Sequence, residues 1–107
     1  MDDTVLALAD PTRRELLRRI ARKPRRAGEL ARGFAMSRPA VCKHARVLKN
    51  AGLVTSKRNG REQIYELAPN GAKAVRELIA TLEEVSRLWD VALDAFKRHL
   101  ERSGGSE

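Results

Sequence analysis

Between Val75 and Leu100, apolar side chains return at three- and four-residue steps: Val75, Leu78, Leu82, Val85, Trp89, Ala92, Phe96 and Leu100. That spacing predicts a helix from Pro69 to about Arg102 with an apolar stripe along one side. Thirty-odd residues at 1.5 Å each span roughly 48 Å, more than a small domain needs for itself. The chain has 107 residues; 42% are hydrophobic, but 15 of these are alanine, and Leu, Ile, Val and Phe together number only 25. The expectation is one domain, residues 1–102, that shares apolar surface with a copy of itself. Val5, Leu6 and Leu8, in a short N-terminal helix, join Leu78, Leu82, Val85, Trp89 and Phe96 as the expected dimer surface. Residues 103–107, Ser-Gly-Gly-Ser-Glu, read as a disordered tail.

Charge divides the chain in two. Residues 1–61 hold 16 Lys/Arg against 5 Asp/Glu, whereas residues 62–107 hold 6 against 9, within a formal net charge of +8. A basic half beside a mildly acidic half suggests a polyanion-binding face plus an interaction segment, with nucleic acid the leading polyanion and an anionic membrane surface second. A single cysteine excludes an intramolecular disulfide framework. No apolar run suits a signal peptide or a membrane span, so the expected location is the cytoplasm.

Asp10-Pro11-Thr12 has the form of a helix start, with Asp10 as N-cap and Pro11 at the first helical position. Leu16, Leu17, Ile20 and Ala21 form its inward stripe, surrounded by Arg13, Arg14, Arg18, Arg19 and Arg22. Lys23-Pro24-Arg25-Arg26 reads as a connection. Residues 27–34 form a second short helix around Leu30, Ala31 and Phe34. Ser37 then caps a helix reaching about Asn50, with Pro39 tolerated in its first turn. Val41, Ala45 and Leu48 mark its inward stripe, and Gly52 is its left-handed terminator. Asn59-Gly60 signals a hairpin with a type I′ turn, a register that sets Val54 opposite Tyr65 and Lys57 opposite Glu62.

Helix, short helix, tight turn, capped helix, hairpin and long helix occur in the order of a winged helix-turn-helix: mainly α with a small β-hairpin, dimeric through its terminal helices. With Val41, Ala45 and Leu48 inward, Arg38, Pro39, Cys42, Lys43, Arg46 and Lys49 lie toward the opposite side or its flanks. In a helix-turn-helix that side enters the DNA major groove, N-terminal residues first. Arg38 offers a fork suited to guanine O6 and N7, and the small Ala40 and Cys42 permit close approach. Lys43, Arg46, Arg58 and Arg61 suit phosphates, and Asn59-Gly60 forms the wing tip. The expected DNA-contacting set is thus Ser37, Arg38, Pro39, Cys42, Lys43, Arg46, Arg58, Asn59 and Arg61.

The stretches LADPTRRELLRRI (8–20), GELARGFAMSRPAVCKHARVLKNAGLV (28–54) and RNGREQIYEL (58–67) resemble the ArsR (arsenic-repressor) family of winged helix-turn-helix transcription regulators, in family order and with a likeness covering nearly the whole chain. The resemblance implies a dimeric repressor joined through its first and last helices. Two departures stand out: Cys42 occupies a common serine position and Ala45 a common leucine position. Metal-sensing members carry Cys-x-Cys before the recognition helix or Asp/His ligands on the last helix. Here residues 29–33 read Glu-Leu-Ala-Arg-Gly, and the last helix offers His99 with Asp90, Asp94 and Glu101 as loose neighbours. A zinc site needs three or four converging ligands, so no metal is expected.

The remaining signals have ordinary readings. The Arg13–Arg26 run reads first as a solvated helical face, His44 as a structural hydrogen-bonding residue, and Cys42 as a small packing or contact residue. No glycine loop for phosphate, nucleophile elbow, HExxH helix, ordered His/Asp/Ser set or cofactor motif points to an enzyme. The competing class is a protein-interaction winged helix with nonspecific nucleic-acid contacts. Aromatic content of 4% weighs against a base-stacking single-strand binder.

Overall fold

The computed structural model describes residues 2–105. In chain order the elements are α1 (Asp2–Ala9), α2 (Pro11–Arg22), β1 (Arg25–Arg26), α3 (Ala27–Gly33), α4 (Arg38–Asn50), β2 (Val54–Asn59), β3 (Glu62–Leu67) and α5 (Gly71–Gly105). This is the mainly helical winged helix-turn-helix architecture that the sequence pattern implies. The core joins Leu16 and Ile20 of α2, Leu30 and Ala31 of α3, Val41, Ala45 and Leu48 of α4, and Leu53, Val54 and Tyr65 of the wing.

Local chemistry sets the helix boundaries. Asp10 Oδ1 accepts from the backbone N–H groups of Thr12 (2.7 Å) and Arg13 (3.2 Å), with proline in the first turn of α2. Ser37 Oγ accepts from Ala40 N–H at 3.2 Å at the start of α4. At its other end Gly52 N–H donates to Lys49 O (2.9 Å) and Leu53 N–H to Leu48 O (3.0 Å). With Gly52 at φ +75°, these bonds form the Schellman termination of a helix. Between α3 and α4 the chain turns at Ala35, whose φ of 51° lies in the left-handed region. There Cβ approaches the backbone unfavourably, costing roughly 1–2 kcal/mol.

The hairpin forms two residues out of the expected register. Val54 pairs with Leu67, Ser56 with Tyr65, Lys57 with Ile64 and Asn59 with Glu62. A type I′ turn over Asn59-Gly60 needs positive φ at both residues. Only Gly60 has it, at +66°, so Gly60-Arg61 is the loop and the first-position glycine matches a type II′ turn. A two-residue shift keeps every side chain on its face. Val54 and Tyr65 remain diagonal neighbours, and the expected Lys57–Glu62 pair is replaced by Lys57–Glu66 (3.3 Å) and Arg26–Glu62 (3.0 Å). The supposed connection at residues 23–26 also contributes a strand: β1 pairs antiparallel with β3, giving the order β1-β3-β2.

The last helix begins at Gly71 rather than Pro69 and continues to Gly105, beyond the tail boundary expected at residue 103. Ser106 and Glu107 lie outside the described residues. At its base, Gly71 and Leu78 are buried while Ala74, Val75 and Thr81 are half-buried, and from Leu82 to Ser103 every residue is exposed. The single chain consequently measures 76 × 28 × 20 Å.

Two outcomes test these local arguments. Ala35→Gly removes the Cβ conflict but adds unfolded-state entropy of about 0.4–1 kcal/mol; a net stabilisation of up to about 1 kcal/mol is expected from urea unfolding. The Asp10 carboxyl is held below its ordinary value of 3.8 by the Arg13 N–H first, then by the Thr12 N–H and the Arg13 charge. A depressed folded-state value contributes stability above the ordinary one and loses it as pH falls through the folded one. Asp10→Asn should therefore flatten the loss of stability below about pH 4, measured as urea midpoint against pH.

Candidate nucleic-acid interface

The second helix of the helix-turn-helix is seated by its apolar side. Val41, Ala45 and Leu48 are at most 1% exposed, so the opposite side of α4 is fixed relative to the body. Ser37, Arg38 and Pro39 lie exposed at its N-terminal end, Lys43, Arg46 and Lys49 are exposed along its length, and Cys42 and His44 are half-buried on its flanks. The wing stands beside it: Arg58, Asn59 and Arg61 are all exposed near the hairpin tip.

Two clefts join helix to wing. The larger, about 430 Å³, is lined by Cys42, Arg46, Lys49, Ser56, Gln63 and Tyr65. Lys49 Nζ donates to Ser56 Oγ at 3.0 Å, and Tyr65 OH donates to Cys42 Sγ at 3.5 Å. Burial first, then that hydrogen bond, raise the Tyr65 phenol well above its ordinary value. It is neutral at physiological pH and acts as a donor pinning the wing to α4. The smaller cleft, about 210 Å³, brings Arg38 from α4 together with Arg58 and Arg61 from the wing, beside Gly28. The Arg38 guanidinium lies over Gly28 so closely that a Cβ there would meet Nη2 at 2.7 Å. Arg38 of α4 and Arg58 and Arg61 of the wing thus meet in one corner, where the carboxylate of Glu62 is already paired with Arg26.

Several of the other basic residues in the first half of the chain are engaged internally. Arg13 donates from Nε to Ala7 O (2.9 Å) and from Nη2 to Leu6 O (2.7 Å), capping the C-terminus of α1, and lies 3.6 Å from Asp10. His44 Nδ1 is 3.5 Å from Arg13 Nη1, which places it in this structural network. Arg14 Nη1 donates to Leu8 O and Ala9 O. Arg18 and Arg19 pair with Glu15 at 3.1 and 3.2 Å, and these hydrogen bonds, Arg18 first, hold its carboxyl below the ordinary glutamate value. Arg19 also stacks 4.1 Å above the Phe34 ring, and Arg25 Nε donates to Arg19 O. Among the described residues, Arg38, Lys43, Arg46, Arg58 and Arg61 have no carboxylate within salt-bridge distance. Arg13, Arg14, Arg18 and Arg19 of α2 are therefore tied to carbonyls or carboxylates of the chain itself, whereas these cations of α4 and the wing tip have no carboxylate partner among the described residues.

Ser56, Gln63 and Tyr65 fall outside the DNA-contacting set expected from sequence, although the two-residue alternation of the strands places them on the same face as Arg58. Of the expected dimer residues, Val5, Leu6, Leu82, Val85, Trp89 and Phe96 are exposed, whereas Leu78 is buried and Leu8 packs against the chain's own core. Among the described residues, no three His, Cys, Asp or Glu side chains converge as a metal site. Asp90, Asp94, His99 and Glu101 are all exposed along α5. No described helix is long and apolar enough to cross a membrane.

Residues 10–56 match the model of the bacterial regulatory protein, arsR family. The HTH-type transcriptional regulator Rv2034 of Mycobacterium tuberculosis is 40% identical over 98 residues, which cover 92% of this chain and 86% of that protein. The transcriptional repressor SdpR of Bacillus subtilis is 33% identical over 67 residues, 63% of this chain and 74% of its own length. Among solved structures, an ArsR-like transcriptional regulator from Rhodococcus sp. RHA1 superposes with a TM-score of 0.74 at 36% identity, covering 94% of this chain and 89% of that one. A homodimeric winged helix-turn-helix DNA-binding domain from Mycobacterium bovis, a possible ArsR-family regulator, gives 0.62 at 28% identity, with 80% and 77% covered. With its capped recognition helix, its wing and relatives of this kind across nearly its whole length, the chain belongs to the ArsR family of bacterial regulatory proteins and is a DNA-binding transcriptional regulator, not an enzyme.

Proposed function

We propose that this chain is a cytoplasmic repressor that binds an inverted-repeat operator as a homodimer, with α4 in the major groove and the Gly60-Arg61 wing against the flanking backbone. The observation that carries the reading is the sorting of charge. Arg13, Arg14, Arg18 and Arg19 of α2 are tied to carbonyls or to carboxylates, while the cations of α4 and the wing tip have no carboxylate partner among the described residues. Dimerisation is supported by the exposed apolar length of α5 and by the homodimeric Mycobacterium bovis relative. Two recognition helices related by a two-fold axis meet half-sites about one helical turn, or a multiple, apart.

Arg38 and Cys42 read bases from the first turn and a half of α4, and Lys43, Arg46, Arg58 and Arg61 hold phosphates. Ser37, Pro39 and Asn59 shape the approach at the helix start and wing tip. Arg38→Ala should cost about 1–3 kcal/mol and relax preference at one position of each half-site. Arg61→Ala should weaken all sequences alike and reduce the slope of log affinity against log salt by about one for each phosphate left without its cation. Arg13→Ala should lower the urea midpoint, through removal of the α1 cap, while leaving the salt slope of the folded protein unchanged. Titrations over a salt series distinguish these effects.

The reading as a whole is tested by selecting an operator from random duplexes and comparing it with its scrambled version, alongside sedimentation of the free protein. A preference of about 10³-fold or more for an inverted repeat, bound two chains per site, is expected on the scale of specific regulators. Equal affinity for both duplexes would replace the operator reading with nonspecific nucleic-acid or protein binding.

A further inference from the structure

Two carboxylates stand beside the corner formed by Arg38, Arg58 and Arg61. Glu62 follows Arg61 directly in the chain and lines the same cleft. Glu29 follows Gly28, over which the Arg38 guanidinium lies. A carboxylate near these arginines competes with phosphate for the same donors. Neither of them does so. Arg26 Nε lies 3.0 Å from Glu62 Oε2 and 4.0 Å from Glu29 Oε1. Strand β1 accounts for this geometry, since its pairing sets Arg26 opposite Ile64 of β3. Glu62, two residues before Ile64, shares its face, so Arg26 and Glu62 are diagonal cross-strand neighbours. Arg58 pairs with Gln63 and lies on the other face. From β2, Lys57 stands opposite the same Ile64 and lies 3.3 Å from Glu66. Both acidic side chains of β3 are thus held by cations on the face turned away from Arg58.

We propose that Arg26 is a positioning residue for DNA binding: by pairing with Glu62 it keeps this carboxylate out of the corner formed by Arg38, Arg58 and Arg61. This rests on the DNA-contacting role proposed above for that corner, and it gives the two-residue strand β1 a part in function. The pair is too exposed to matter much for folding, with Arg26 and Glu62 side chains 55% and 39% accessible. Its consequence lies in binding. Released from Arg26, the Glu62 carboxylate turns round the hairpin tip and pairs with a guanidinium of the corner, and one phosphate loses its cation. Arg26 itself stays on the far face of the wing and touches no phosphate.

The test is a double-mutant cycle on the full chain. Arg26→Gln removes the charge but keeps most of the stem and the backbone pairing of β1, and Glu62→Gln removes the carboxylate. Both single variants, the double variant and the wild type are titrated with a selected operator and with a random duplex over a salt series. Arg26→Gln should lower affinity about tenfold near 0.1 M salt and reduce the salt slope by about one, the worth of one phosphate contact. In the Glu62→Gln background the same substitution should cost less than about twofold. Equal losses in both backgrounds would show that Arg26 acts through its own charge or through the fold, and would overturn the inference. A second readout needs no DNA. In the free protein, an Nε–Hε signal of Arg38, Arg58 or Arg61 should move in Arg26→Gln and return in the double variant; unmoved signals would overturn the inference as well. A wild-type protein that binds both duplexes equally would remove the operator reading, while the cycle on the random duplex would still decide the role of Arg26.

Discussion

The seating of α4 through Val41, Ala45 and Leu48 is the constraint on which the rest of this structure depends. A helix can present one face to DNA only if its other face is held against rotation and slippage. Here the fixing contacts come from α1, α2, α3 and the wing at once, and all three inward residues are almost completely buried. Ala45, in the middle of the stripe, fills little volume and lets neighbouring elements come close. Close packing of this kind transmits position, so the Schellman termination at Gly52 and the Tyr65–Cys42 hydrogen bond place the wing relative to the same helix.

Electrostatics then divides the work among residues of one type. Many arginines lie in the first half of the chain, and a count alone cannot separate structural ones from ligand-binding ones. Arg13 and Arg14 occupy α1 carbonyls, Arg18 and Arg19 share Glu15, and Arg25 reaches the carbonyl of Arg19. A guanidinium held by a protein acceptor must give up or strain that structural bond to turn toward a phosphate. Those on α4 and at the wing tip face no such competition from a carboxylate among the described residues, so phosphate contacts proposed there would release counterions from DNA without dismantling the fold.

Much of this was legible in the sequence because the signals were local or periodic. Asp10-Pro11, Ser37 and Gly52 act through hydrogen bonds within a few residues of themselves, and the inward stripes of α2 and α4 follow a helical repeat. The hairpin register was less legible. Asn59-Gly60 names a turn but leaves open which residue begins it, and the conformation of Gly60 decided in favour of Gly60-Arg61. Strand β1 could not be seen, since two arginines after a proline carry no strand pattern until Ile64 and Tyr65 are beside them. The same limit applies to the cleft: Ser56 and Gln63 matter only because distant segments bring them to Arg46 and Lys49.

The central claim is that DNA meets the unpaired cations of α4 and the wing, while the internally bonded arginines stay in place. NMR titration of the full-length protein with a selected operator duplex, following backbone amides and arginine Nε–Hε signals, tests it directly. The account predicts the largest shifts at residues 37–49 and 58–62, including the side chains of Arg38, Arg46, Arg58 and Arg61, with those of Arg13, Arg19 and Arg25 scarcely moving. Dominant shifts in the Arg13–Arg26 segment or along the outer half of α5, with residues 37–49 unaffected, would contradict it.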